Sequence, residues 1–167
     1  MSLHQPADAT TAHAAPPHVA CGAGVELAVL DVRVRVLLSA ADTGGSVALA
    51  EGVVAPHAGP PLHAHDGADV FFRVIEGRFR FRIGASTIEA GPGHVLFAAR
   101  GTAQCFYNPC ERPGKLVMGL TPGGAEALFA ALAAEGPDPA PERMAALAAA
   151  HGVRLLGPNP LKRQAAS

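Results

Sequence analysis

Two histidines separated by one residue, His63 and His65, stand in the run Gly59-Pro60-Pro61-Leu62-His63-Ala64-His65. On an extended chain, side chains at i and i+2 share a face, so both imidazoles can address one ion or one substrate. Imidazole offers metal ligation, hydrogen bonding in either sense and acid–base chemistry near neutral pH. An isolated pair of this kind usually faces solvent. Here an apolar hairpin follows at once, through Val70 to Gly77, which turns the pair toward an interior. The other histidines carry less. His4, His13 and His18 are scattered along an Ala/Pro/Thr stretch, His57 sits in a Pro/Gly loop, and His94 opens a strand.

The elements that must position the pair are short β-type runs. They cover 25–31, 32–39, 46–54, 70–75, 78–83, 86–89, 94–99, 104–108 and 115–120. In Arg78-Phe79-Arg80-Phe81-Arg82-Ile83 the period of two puts Phe79, Phe81 and Ile83 on one face and the arginines on the other. Turn signals such as Gly44-Gly45, Glu76-Gly77 and Pro113-Gly114 separate the runs, as in an antiparallel sandwich or barrel. After Pro122 the pattern changes. An Ala-rich helix is expected from Gly124 to Glu135, with Leu128, Phe129 and Leu132 on its apolar stripe. A second is expected from Pro141 to about Ala150, with Met144 and Leu147 facing inward.

The chain has 167 residues, a net charge of −1 and no basic cluster, which argues against nucleic acid as the main partner. Its longest apolar stretches fall far short of the roughly 20 residues of a membrane helix. The 19 Gly and 15 Pro suit a turn-rich β fold rather than a helical bundle. Three cysteines, Cys21, Cys105 and Cys110, make no disulfide framework, and residues 1–20 do not read as a signal peptide. A cytoplasmic protein is the expectation. The expected organisation is a flexible arm over 1–22, a barrel over 23–121 and a helical extension over 122–167, packed on the barrel or on a partner subunit.

At these spacings the chain resembles the small bacterial single-domain cupins of the quercetin-dioxygenase-like kind. The family's first motif is G-x5-H-x-H-x4-E-x6-G, and His63, His65 and Gly77 match it. The second is G-x5-P-x-G-x2-H-x3-N, matched by Gly93, Gly101 and Asn108. The resemblance implies an all-β double-stranded β-helix, a jelly-roll barrel, carrying the two C-terminal α-helices. It also implies a metal site of three histidines and a glutamate, holding Fe, Mn, Ni, Cu or Zn. This chain departs from that set at two of the four positions. Val70 occupies the glutamate slot and Gln104 the third histidine slot, while His57 and Ala99 replace the opening glycine and the proline.

The favoured reading is therefore a barrel that binds a small apolar or aromatic molecule. Val70, Phe72, Phe81 and Phe106 would line its pocket, with His63, His65 and Gln104 as the polar cluster. The two histidines are the candidates for metal-free acid–base catalysis, of isomerase or cyclase type. The cofactor is either none or a weakly held divalent metal (Fe, Mn, Ni or Zn) on His63, His65 and Gln104. Asp69 would substitute as a ligand if a bulge at Asp66-Gly67-Ala68 turned it inward. The alternatives are a metal-dependent dioxygenase-like enzyme for phenolic or enol substrates, and a non-catalytic regulatory or assembly module. The resemblance further implies a homodimer.

Overall fold

The computed structural model describes residues 18–162. The expected arm over 1–22 lies mostly outside them, His4 and His13 included. Ten strands precede the C-terminal helices. They are β1 (Glu26–Val29), β2 (Val32–Leu38), β3 (Ala48–Val54), β4 (Leu62–His65), β5 (Asp69–Glu76), β6 (Phe79–Ile83), β7 (Ser86–Ala90), β8 (Val95–Ala98), β9 (Gln104–Tyr107) and β10 (Gly114–Thr121). A helical turn, α1 (Ala40–Thr43), joins β2 to β3. Helices α2 (Ala127–Glu135) and α3 (Pro141–Ala150) follow, and a last strand, β11 (Val153–Gly157), closes the described chain.

The strands form two antiparallel sheets, ordered β1-β2-β3-β10-β5-β8 and β11-β4-β9-β6-β7. This is the all-β double-stranded β-helix. All nine expected runs form strands. β4 arises where the histidine pair needed an extended chain, and β11 was not expected. The residues after Ala150 thus do not continue a purely helical extension. They return to the second sheet, pairing Val153 with His65 and Leu155 with His63.

The period of two decides what is buried. Phe79 and Phe81 of β6 face the interior at 1% and 0% exposure, while Arg80 and Arg82 stay half-buried on the outer face. Phe72, Phe79, Phe81 and Phe106 pack with ring centroids 5.2 to 6.1 Å apart, in tilted or edge-on contacts. Val54, Val70, Val74, Leu116 and Leu120 complete that core. A second apolar cluster joins Val29, Val34 and Ala50 of the first sheet to Leu128, Leu132, Ala148 and Val153. Through it α2 and α3 lie against the barrel. Among the described residues no helix is long and apolar enough to cross a membrane.

Candidate functional site

β4 is held in place by a loop with no spare room. A Cβ on Gly59 would stand 2.0 Å from the Phe106 carbonyl oxygen, so only glycine lets the loop approach β9 this closely. The buried Asn159 ties the same place together. Its side-chain N–H groups donate to the Pro60 and Phe106 carbonyls, both at 2.8 Å, and its oxygen accepts from the Leu161 N–H. Two residues beyond Gly59, the Pro61 carbonyl accepts from Nδ1 of His63 at 2.8 Å. A carbonyl can only accept, so Nδ1 carries the proton and Nε2 carries the ring's lone pair.

The His63 and His65 rings lie edge to face, with centroids 5.2 Å apart. Gln104 is the cross-strand neighbour of His63 and shares its face of the sheet. Nδ1 of His65 and Oε1 of Gln104 are both buried with no hydrogen-bond partner. Orphaned polar atoms of this kind are uncommon in interiors and call for a partner. Burial drives the rings toward neutrality. For His63, loss of solvation outweighs the Pro61 carbonyl and lowers the pKa. For His65, loss of solvation and then the neighbouring His63 lower it from 6.5 to about 4, against the opposing pull of Asp66.

The pair opens onto a cavity of about 130 Å³. The first sheet supplies Val29, Val32, Val34, Ala50, Leu116 and Met118 to its wall, and β9 supplies Phe106. The helices supply Leu128, Phe129 and Leu132 from α2 with Met144 and Ala148 from α3, and β11 adds Val153 and Leu155. The wall is almost wholly apolar. This corrects the expected lining. Of the four residues assigned to it, only Phe106 reaches the cavity. Val70, Phe72 and Phe81 are 1%, 3% and 0% exposed and fill the core instead. Gln104 pairs with His63 across the strands but is not on the cavity wall. The cavity instead reaches across to β1, β2, β3 and the C-terminal helices. The advance sign of this is the apolar stripe of α2, in an extension expected to pack on the barrel or on a partner subunit.

A second correction concerns Asp69. It sits in regular register in β5, opposite Thr121 of β10, and no bulge turns it inward. Its carboxylate accepts from the Arg100 backbone N–H at 2.8 Å and from two guanidinium nitrogens at 3.1 Å, which holds its pKa below the usual range. Asp66 is likewise engaged, at 2.8 Å from Arg154 of β11. Val70 leaves a buried apolar surface in the slot where the family pattern carries an acid.

These facts decide whether the residues fit a resident divalent metal. Two neutral imidazoles and a neutral amide would leave a buried dication with no anionic ligand, and both nearby carboxylates are committed elsewhere. Among the described residues no group of three or more His, Cys, Asp or Glu side chains converges to hold an ion. The donor set does not fit. It suits instead a molecule that makes hydrogen bonds at one end and apolar contacts at the other.

Residues 50–119 match the family described as a cupin domain. Among solved structures the chain is similar to an RmlC-like cupin from Shewanella frigidimarina, at 16% identity over 64% of this chain and 91% of that one, with a TM-score of 0.55. It is also similar to the cupin domain of Schizosaccharomyces pombe Cnp3, at 17% identity over 61% and 72%, with a TM-score of 0.53. A predicted oxalate decarboxylase from Thermotoga maritima matches at 19% identity over 54% and 79%, with a TM-score of 0.52. At such identities the likeness is one of fold. No functionally curated protein matches the sequence.

Proposed function

We propose that this chain, whose residues 50–119 match a cupin domain, binds a small apolar or aromatic molecule beside His63 and His65, without a resident metal. The observation that carries this reading is the pairing of an apolar-walled cavity with buried polar atoms that have no partner. The size argues for a single ring. An engineered apolar cavity of roughly 150 Å³ takes up benzene, and this one measures about 130 Å³. The lone pair on Nε2 of His63 gives the bound molecule an acceptor. It also gives the site a base, should the ligand carry an acidic C–H or O–H there. A metal-dependent dioxygenase gains no support from the donor set.

The homodimer belongs to the same proposal. Among the described residues β8 is one of the two edges of the six-stranded sheet, and it exposes Val95 and Phe97 at 66% and 60%, an apolar edge of the kind that pairs with a second copy.

Calorimetric titration with single-ring phenols tests the binding reading. Saturable one-to-one binding is expected for the native chain. A His63→Ala, His65→Ala double variant should weaken it at least tenfold. Ala50→Leu, which fills the cavity without touching the imidazoles, should abolish it. Binding that survives Ala50→Leu would place the ligand elsewhere and overturn the proposal.

A further inference from the structure

We propose that this cavity selects uncharged hydrogen-bond donors and rejects the anions they become on ionisation. The inference rests on the ligand-binding reading above and sharpens it to a ligand class, a single-ring neutral hydroxyl compound.

The argument is one of charge around the cavity. At its polar end, Nε2 of His63 is an acceptor, because Nδ1–H is spent on the Pro61 carbonyl. Oε1 of Gln104, on the same sheet face, also lacks a partner but lies off the wall. Acceptors ask for a ligand that brings its own proton. Among the described residues no lysine or arginine lines the wall. The formally charged residues on it, among those described, are acidic: Asp31 from the β1–β2 turn and Glu51 from β3. Their counter-ions Lys162 and Lys115 stand 3.8 and 3.7 Å from them and are not part of the wall. Beside His65, Asp66 is matched by Arg154. From α2 and α3 only apolar side chains face the cavity.

An anion entering here would lose its hydration, find no cation on the described wall, and meet the His63 acceptor, one N–H of His65 and hydrocarbon. A neutral hydroxyl would lose far less and would donate to the lone pair on Nε2 of His63. The same cavity with one inward cation would prefer the anion. That reversal makes the idea testable.

4-Nitrophenol is a suitable probe, because it ionises near neutral pH and only the phenolate absorbs strongly in the visible. Titrating the full chain into the probe at half-ionisation should bleach the phenolate band saturably, with the neutral form bound at least tenfold more tightly. Met144→Lys, at a half-buried wall position that tolerates a long side chain, should reverse the sign and intensify the band. Saturable binding with an unchanged or stronger band in the native chain would overturn the selectivity while leaving the ligand-binding reading intact. If neither 4-nitrophenol at any pH nor 4-methylphenol binds, the ligand-binding reading itself fails, and this inference with it.

Discussion

Around Phe81 the space between the two sheets is filled by aromatic rings, and around His63 the same two sheets leave a void. Phe106 belongs to both regions, with one side of its environment in the ring cluster and the other on the cavity wall. In the filled region, Phe72, Phe79 and Phe81 come from strands that follow closely in sequence. In the hollow region the walls come from β1 to β3, β4, β10, β11 and two helices, and polar side-chain atoms are left unpaired. The contrast separates two tasks of one fold. The ring cluster supplies stability, and the cavity sacrifices some of it to keep space and unsatisfied hydrogen-bonding capacity.

The largest effect should come from emptying the filled region. Phe81→Ala removes a fully buried ring in contact with three others and should cost about 3–5 kcal/mol in urea denaturation. A loss below about 1 kcal/mol would erase the distinction between the regions.

Placing a charge in the slot where the family pattern carries an acid probes the boundary between them. Val70→Glu buries a carboxylate without a partner and should lower stability by about 3 kcal/mol in metal-free buffer. Because it supplies the missing anionic ligand, added Ni²⁺ or Zn²⁺ should raise its melting temperature while leaving the native chain's unchanged. Stoichiometric metal stabilisation of the native chain would contradict the misfit argued for its donor set.

Acid should act on the hollow region first. The folded pKa of His65 lies at about 4 against an ordinary 6.5, so the unfolded chain takes up the proton more readily. Stability from this group is fully present above about pH 6.5, falls as the pH drops and is lost below about 4, amounting to about 3 kcal/mol. His63 is shifted in the same direction and adds to the fall. In His65→Gln the slope of stability against pH over that window should flatten. An equal slope in both proteins would show that other groups dominate.

The smallest effect is expected at Gly52, on the cavity wall. A Cβ there would meet Val32 and Leu116 at 3.4 and 3.7 Å, ordinary contact distances. Gly52→Ala should therefore raise stability by up to about 1 kcal/mol in thermal melts, by reducing the freedom of the unfolded chain. A clear loss would mean that the wall is already tightly packed.

How much of this could be read from residues alone follows the same divide. The filled region announces itself locally: the Phe/Arg alternation of β6 fixes which side chains go inside, because the period of a strand is set by backbone geometry. The inward pairing of His63 and His65 was legible for the same reason, and so was the outward direction of Asp69. The cavity was not. Its walls join residues as far apart as Val29 and Leu155, and no local pattern encodes that meeting. β11 was missed on similar grounds. Val153-Arg154-Leu155-Leu156-Gly157 is short and follows a helix, and its strand character comes from pairing with β4, about 90 residues earlier. Of the expected pocket residues, Val70, Phe72 and Phe81 face inward without lining the cavity, because an inward direction alone does not leave space beside a side chain. Four phenylalanines are large enough to close the space they face.

The most direct test of the central claim is nitrogen NMR of the two imidazoles during titration with 4-methylphenol. The account predicts neutral rings before ligand is added, with the Nδ1-protonated form at His63. It also predicts saturable shifts at His63 Nε2 that vanish in Ala50→Leu. Ring nitrogens that stay unmoved at saturating phenol, or that show a tightly held metal ion in the purified protein, would contradict it.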